Sequence, residues 1–273
     1  NPVVTIHTLH EMRKRPLGQN FLIDLSIAQN IIQLANIQPG EPVVEIGPGK
    51  GVLTQILIDQ ADSLTTIELD PRLSKDLQNR FGDTPSFKLI EGDAAKFDYA
   101  SLGEGLNVVS NLPYYAATHI MKRLIHYRNQ ICSMTLMLQK EVVDRLTAKP
   151  GQKEYGSLSV YVQYYCDVQR LLEIPNTAFS PKPKIDSSLI GLKPLPQPKV
   201  QVENPKLFFK LVNSAFFHKR KMLKNNLKDW EYLFKQESGQ AQLAGIDLSR
   251  RGETLSLEDF ANLANHVHAL TAA

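Results

Sequence analysis

The fold is decided by the stretch Val43-Val44-Glu45-Ile46-Gly47-Pro48-Gly49-Lys50-Gly51. An apolar run leads here into glycines spaced two apart, and residues 52–60 follow with the apolar spacing of a helix. A strand, a glycine loop and a helix in this order are typical of the first unit of a doubly wound parallel sheet. Ligands of such sheets bind at the loops that follow the strands, so the stretch also predicts where a site forms.

The same alternation continues through the first two-thirds of the chain, which predicts parallel strands joined by crossover helices. The predicted strands are residues 43–47, 64–69, 87–91, 107–110, 133–138, 157–165 and 189–192. The predicted helices are residues 52–60, 71–81, 117–127 and 140–148. We therefore expect an α/β, Rossmann-like domain with a seven-stranded, mostly parallel sheet.

A second domain is predicted after residue 203. Three prolines within residues 194–198 interrupt regular structure, so residues 194–203 are predicted to be a linker. Apolar residues then recur at helical spacing from Leu207 onward. We expect a catalytic domain at residues 1–193 and a small, all-helical domain at residues 204–273.

The basic charge of the chain is local. The formal net charge is only +3, yet residues 205–230 carry seven basic side chains against the single acidic Asp229, which is typical of a surface that faces a polyanion. Cys132 and Cys166 lie far apart in apolar surroundings, which predicts reduced, packed thiols in the cytoplasm rather than a disulfide or a metal cluster. No stretch has the length and apolarity of a membrane span. We expect a monomer without membrane or metal.

Polar features follow three consecutive predicted strands. Gly47, Gly49 and Gly51 are spaced two apart, whereas the dinucleotide fingerprint has its third glycine three positions after the second, and this departure favours a donor that lacks phosphates. Glu68 ends the next strand, where a carboxylate accepts hydrogen bonds from both hydroxyls of a ribose. Asp93 follows the third strand and is placed to accept from an adenine amino group. Ordinary turn and capping roles are the alternative for each residue taken alone.

The second informative stretch is Asn111-Leu112-Pro113-Tyr114, at the end of the predicted fourth strand. The Asn111 side-chain oxygen and the Leu112 carbonyl offer two acceptors to an exocyclic amine, in a turn that Pro113 stiffens. Tyr114 offers an aromatic face on which a purine stacks. The amine that fits best is N6 of adenine, so we predict a methyl acceptor site facing the donor site. A turn that only closes a strand is the alternative.

From about residue 13 to its C-terminus the chain resembles the small-subunit ribosomal RNA adenine N6-dimethyltransferases. The likeness is carried by Leu17-Gly18-Gln19-Asn20-Phe21-Leu22, by Glu68 and Asp93, and by residues 45–51, 111–114, 138–142, 155–160 and 179–187. The resemblance implies S-adenosyl-L-methionine as donor and N6-dimethylation of two adjacent adenosines near the 3′ end of small-subunit rRNA. It also implies the immature small ribosomal subunit as partner.

The resemblance implies roles for further residues. Asn20 and Leu22 would reach the donor together with Gly47, Gly49, Glu68, Asp93 and Asn111. Phe179 would stack on the target base opposite Tyr114. Where the family usually has two consecutive arginines, this chain has Lys219-Arg220. The positive charge is kept, but one of the two guanidinium groups that can bind a phosphate through two hydrogen bonds is lost.

Two basic groups are predicted to bind RNA. They are Arg13, Lys14 and Arg15 before the donor-binding segment, and Lys219, Arg220, Lys221, Lys224 and Lys228 in the second domain. Helical spacing places Lys221, Lys224 and Lys228 on one face. Solvated surface charge is the alternative for both groups.

Three rival functions share parts of this pattern. The large-subunit rRNA adenine methyltransferases that confer macrolide resistance share fold and chemistry, but Leu112 and the long segment 175–188 favour the small-subunit type. A non-catalytic nucleic-acid-binding factor on the same fold would have no need of Glu68, Asp93 and Asn111 together. A DNA-modifying enzyme with the same target turn is the third rival.

Overall fold

The computed structural model describes residues 20–230 and 242–272. The strands are β1 (Phe21–Leu22), β2 (Pro42–Ile46), β3 (Ser63–Glu68), β4 (Phe87–Glu91), β5 (Leu106–Asn111), β6 (Ile131–Gln139), β7 (Cys166–Ile174), β8 (Phe179–Ser180), β9 (Ser187–Pro194), β10 (Gln242–Leu243) and β11 (Ile246–Asp247). The helices are α1 (Leu25–Ala35), α2 (Val52–Gln60), α3 (Pro71–Phe81), α4 (Ala117–His126), α5 (Lys140–Thr147), α6 (Ser157–Tyr165), α7 (Pro205–Ala215), α8 (Leu223–Asn226) and α9 (Leu257–Ala272).

Seven strands form the central sheet, in the order β4-β3-β2-β5-β6-β9-β7. The first five strands in this order run parallel to one another, whereas β9 runs antiparallel to both β6 and β7. This confirms the predicted seven-stranded, mostly parallel sheet. The strand order reverses beside β2, since β3 lies on one side of it and β5 on the other, and a crevice for a ligand forms at such a reversal.

The sheet is buried on both faces. Val44 and Ile46 of β2 belong to the apolar cluster that contains α4 and α5, while Val43 belongs to the cluster that contains α1 and α2. Successive side chains of a strand point to opposite faces, so a central strand needs mainly apolar residues on both of its faces. This is why the central strands read as mostly apolar runs in the sequence, with a few buried polar residues such as Glu45 and Thr66.

The prediction of a strand at residues 157–165 is wrong, because these residues form α6. Val162 belongs to the apolar cluster that contains α4 and α5, whereas Val160 and Tyr164 belong to the cluster that contains α7, so α6 is apolar on more than one face. Its sequence therefore lacks the single stripe that marks a surface helix. The missing strand is β7, which lies at the edge of the sheet and carries polar residues on its exposed face.

The region predicted to be the second domain is built on α7 and α9, with α8 and a two-stranded hairpin, β10 and β11, beside them. The hairpin is an addition to the predicted all-helical arrangement. Asn204 caps α7 by accepting from the Leu207 N–H at 3.1 Å, and Phe208, Leu211 and other apolar residues of α7 are buried. The domain boundaries themselves stay a prediction, since α6 contributes to both apolar clusters.

Two further predictions need correction. Lys221, Lys224 and Lys228 do not share a helix face, because α8 is only four residues long and residue 228 starts a separate 3₁₀ turn. Cys166 is buried, but Cys132 is exposed, so the packed environment predicted for both thiols holds for one. Within residues 20–230 and 242–272 there is no helix with the length and apolar character of a membrane span.

Candidate active site

A cleft of about 290 Å³ opens where β2, β3, β4 and β5 end at their carboxyl edge. Because neighbouring parallel strands end at the same edge of a sheet, features that are far apart in sequence meet there. The cleft brings together every residue predicted to reach the donor: Asn20, Leu22, Gly47, Gly49, Glu68, Asp93 and Asn111. It also contains Leu112, Pro113 and Tyr114 of the target turn.

The glycine loop is shaped by left-handed backbone. Gly47, Gly49 and Gly51 have φ of 62°, 59° and 74°, a region that favours glycine. A Cβ atom on Gly49 would lie 3.0 Å from Cδ1 of the Phe21 ring, so the absence of a side chain also lets β1 close over the loop. The shape of the loop therefore depends both on the left-handed backbone of its glycines and on its close packing against Phe21.

Glu68 organises the loop from the end of β3. Its side chain is 2% exposed, and its two oxygens accept from the backbone N–H groups of Gly49 at 3.1 Å and of Leu69 and Asp70 at 2.9 Å each. Burial raises the pKa of Glu68, and these three hydrogen bonds oppose that rise. A carboxylate has about four acceptor positions, so roughly one remains for a ligand hydroxyl. The predicted hydrogen bonds from both ribose hydroxyls to Glu68 stay a prediction.

Glu45 is a residue of the site whose individual role the sequence did not reveal. It is 1% exposed, lies in β2 beneath the cleft, and accepts from the Thr54 hydroxyl at 2.6 Å. Burial, with added repulsion from Glu68, raises the pKa of Glu45 to about 8. The signal available in the sequence is an acidic residue inside an otherwise apolar strand, since such residues are almost never fully buried unless they have a partner.

Asp93 lies in the loop after β4. Its Oδ1 atom accepts from the Ala95 N–H at 2.9 Å, and its side chain is 38% exposed. One oxygen thus fixes the loop while the carboxylate still reaches the cleft. Together with Glu68, it gives the cleft an acidic lining that suits a ligand with positive charge.

The target turn is held against the glycine loop. A Cβ atom on Gly47 would lie 3.8 Å from Cδ of Pro113, so the two loops are in near contact. The Asn111 side-chain amide donates through Nδ2 to the Asn20 carbonyl at 3.4 Å, which leaves Oδ1 as an acceptor. The Pro113 carbonyl accepts from the Ala116 N–H at 3.0 Å and closes the turn into α4.

Tyr114 is positioned by a residue that the sequence did not single out. Its hydroxyl lies 2.7 Å from the Ser187 hydroxyl, at the start of β9. Ser187 is fully buried, between the ends of β6 and β7. Burial raises the pKa of Tyr114, and the hydrogen bond to Ser187 opposes that rise. One end of the Tyr114 side chain is thus fixed by the sheet.

Phe179 is placed differently from the other predicted target residues. It is 3% exposed, pairs with Leu22 through β1 and β8, and packs in the cluster that contains α1 and α2. It is not among the residues that line the cleft. Its stacking on a target base therefore stays a prediction.

The predicted RNA-binding residues of the second domain are all exposed: Lys219, Arg220, Lys221, Lys224 and Lys228. The Lys219 ammonium donates to the Lys153 carbonyl, and the Gly151 N–H donates to the Glu253 carbonyl at 2.7 Å. These bonds bring exposed Lys149 and Lys153 of the first domain to the same surface. Arg13, Lys14 and Arg15 lie outside the described residues, so their predicted role stays untested.

Comparison with known proteins decides the family. The family model described as ribosomal RNA adenine dimethylase matches residues 10–269. The chain belongs to this family. Adenine dimethylases use S-adenosylmethionine as methyl donor, and the acidic, acceptor-lined cleft fits that cationic nucleoside. Among the described residues there is no group of three or more potential metal ligands.

Relatives of this adenine dimethylase carry a more specific name. Proteins named ribosomal RNA small subunit methyltransferase A match from Clostridium botulinum, at 44% identity over 92% of this chain and 93% of the relative, and from Alkaliphilus oremlandii, at 41% identity over 93% and 91%. A dimethyladenosine transferase from Plasmodium falciparum superposes with a TM-score of 0.74 at 26% identity, over 89% of this chain and 95% of the other.

A large-subunit enzyme shares the fold of this adenine dimethylase. The 23S rRNA methyltransferase ErmE superposes with a TM-score of 0.72 at 23% identity, over 91% of this chain and all of the other. This likeness concerns the architecture alone. The small-subunit relatives are far more similar in sequence, so the large-subunit alternative is not favoured.

Proposed function

We propose that the chain transfers methyl groups from S-adenosylmethionine to N6 of two adjacent adenosines near the 3′ end of small-subunit rRNA. The observation that carries the proposal is the meeting of the donor residues and the target turn in one cleft. The names of the relatives support rRNA of the small subunit as substrate. Within this proposal the acceptor is an immature small subunit, and the protein acts in the cytoplasm as a monomer.

The target turn supplies hydrogen-bond acceptors to the amine. Asn111 Oδ1 and the Leu112 carbonyl accept from the two N–H groups of adenine N6, which shifts the nitrogen lone pair out of the ring and toward the donor. The bond between Asn111 Nδ2 and the Asn20 carbonyl sets which end of the amide faces the amine. The nitrogen attacks through its lone pair, so no general base is needed before attack. The new N–C bond would replace the S–C bond of the donor, S-adenosylhomocysteine would leave, and the cationic amine would then lose its extra proton to solvent.

The remaining acceleration comes from positioning. S-adenosylmethionine supplies an activated methyl group with its own leaving group. Tyr114, fixed through Ser187, offers a stacking face for the purine, worth about 1–3 kcal/mol. Glu68 and Asp93 hold the donor side of the cleft. Ala116 lines the cleft beside the turn, and its small side chain leaves space for the bulkier amine of a second transfer.

The test is methyl transfer by Asn111→Ala. We expect turnover to fall at least about 100-fold, the loss typical for removal of one polarising group, while donor affinity measured by calorimetry changes only a few-fold. The control is Asn129→Ala, which removes an exposed asparagine remote from the cleft. Unchanged transfer by Asn111→Ala would refute the role of the turn.

The substrate is tested by competition. Immature small subunits, protein-free small-subunit rRNA, large-subunit rRNA and duplex DNA are offered together with labelled donor, and the products are located by mass spectrometry. We expect two dimethylated adenosines in small-subunit rRNA from the immature particle. Preferential labelling of large-subunit rRNA or of DNA would replace this proposal with the corresponding rival.

A further inference from the structure

Phe217 is the most exposed large apolar side chain among residues 20–230 and 242–272. It is 77% exposed, and it lies two residues after the end of α7, in the turn to α8. A phenylalanine in such a position leaves apolar area in water that packing within the chain does not cover. Its neighbour Phe216, in contrast, packs against Tyr155 and Phe260.

The loop that carries Phe217 is held in one shape. We define the 217–221 loop as Phe217-His218-Lys219-Arg220-Lys221. The Asn226 side chain accepts from the His218 N–H at 3.2 Å and donates to the carbonyls of Ala215 at 2.8 Å and His218 at 3.1 Å. The Lys221 N–H donates back to the His218 carbonyl at 2.9 Å. The aromatic ring is therefore presented by an ordered loop, which lowers the entropy lost on binding.

The surroundings of Phe217 are cationic. Three basic residues follow it in the 217–221 loop, and the bond from Lys219 to the Lys153 carbonyl adds a fourth from the first domain. An exposed aromatic ring among cations matches a single-stranded nucleic acid, whose bases stack on the ring while its phosphates meet the charges. A duplex offers the ring no free base face, so it would use the charges alone.

We propose that Phe217 stacks on an unpaired base of the RNA substrate. The lysine and arginine side chains of the 217–221 loop then hold the phosphates on either side of that nucleotide. This surface is distinct from the cleft, and so the nucleotide is a second, docking contact rather than the methylated adenosine. The identity of the RNA rests on the proposed function, whereas the stacking contact itself does not.

The first experiment measures how tightly the protein binds small ribosomal subunits whose rRNA lacks the adenosine methylation. Phe217→Ala and Phe217→Leu are expected to lower the affinity by roughly 5- to 150-fold, the range for removal of one base stack, and Phe217→Trp is expected to retain it. The slope of log affinity against log salt should stay unchanged, because every charge that meets a phosphate is still present. The control is Met222→Ala, which truncates a 41% exposed apolar side chain next to the same loop.

The second experiment identifies the contact. A photoreactive phenylalanine analogue at position 217 is expected to cross-link to a nucleotide of the small-subunit rRNA. A cross-link to a ribosomal protein, or full affinity of both Phe217→Ala and Phe217→Leu, would overturn the proposal. An equal loss of affinity in Met222→Ala would also overturn the proposal, because it would show that binding depends on exposed apolar area in general and not on stacking of the Phe217 ring.

Failure of this proposal and failure of the proposed function give different results. If the wild-type protein methylates small-subunit rRNA and the Phe217 variants bind normally, only the stacking contact is wrong. If the wild-type protein transfers no methyl group to adenine but the Phe217 variants still lose affinity for RNA, the contact stands and the proposed reaction falls.

Discussion

Replacing Gly49 by alanine tests how the donor cleft is closed. Gly49 has φ of 59°, and an alanine held in the left-handed region costs about 1–2 kcal/mol. The added Cβ would also lie 3.0 Å from Cδ1 and 3.1 Å from Cε1 of Phe21, and overpacking of this kind costs roughly 1–3 kcal/mol. We expect the free energy of unfolding to fall by about 2–5 kcal/mol in total.

Gly40→Ala is the matched control. Gly40 also has a left-handed φ, of 84°, but a Cβ there would meet nothing within 4 Å. It should therefore lose only the backbone part, about 1–2 kcal/mol. Both variants are unfolded in urea, and donor affinity is measured by calorimetry. Gly49→Ala should also bind the donor more weakly. The Gly49 N–H donates to Glu68, which is predicted to bind the donor, so a shift of the loop would also disturb Glu68.

A double-mutant cycle with Phe21→Ala isolates the contact between the Cβ and the ring. With the ring removed, the Gly49 substitution should cost no more than the Gly40 substitution, so a coupling energy of about 1–3 kcal/mol is expected. Equal losses in Gly49→Ala and Gly40→Ala, or a coupling energy near zero, would refute the close packing of β1 on the glycine loop.

Three further predictions concern charge and positioning. The pKa of Glu45 is raised from 4.5 to about 8, so between these pH values the unfolded chain binds fewer protons than the folded protein. The free energy of unfolding should therefore fall as the pH rises from about 4.5 to about 8, and Glu45→Gln should make that fall shallower in urea titrations. Tyr114→Phe and Ser187→Ala should each slow methyl transfer, and the double variant should lose less than the sum; additive losses would contradict their coupling. Reversing Lys221 and Lys224 to glutamate should make the salt dependence of RNA binding less steep by about one unit for each phosphate that is no longer neutralised, and an unaltered slope would return both to ordinary surface charge.

The helices α2 and α3 have the bounds that their patterns predict, because each buries residues along one face. The edge strand β4 also has its predicted bounds, although none of its residues is fully buried. Prediction failed at α6, which lies between two apolar clusters, and at β7, whose register with β9 shifts between Arg170 and Leu172. In both places the pattern of burial depends on neighbours from distant parts of the chain.

The meeting in one cleft of the residues predicted to reach the donor was itself predictable, because of the topology of the sheet. Glu68, Asp93 and Asn111 each end or follow a strand, and parallel topology brings strand ends together whatever the details of packing. The small number of acceptor positions that Glu68 keeps free for a ligand was not predictable. Three backbone N–H groups occupy most of these positions only once the loops have folded around the carboxylate.

The sequence by itself determined the doubly wound sheet, the donor loop and the target turn, since glycine spacing, apolar runs and strand-end polar residues are local features. The tertiary structure alone decided the contacts that complete the site. Tyr114 meets Ser187 across 73 positions because β9 inserts between β6 and β7, and Lys219 reaches the first domain because α6 packs on α7. Such contacts depend on the path of the whole chain, which no local pattern records.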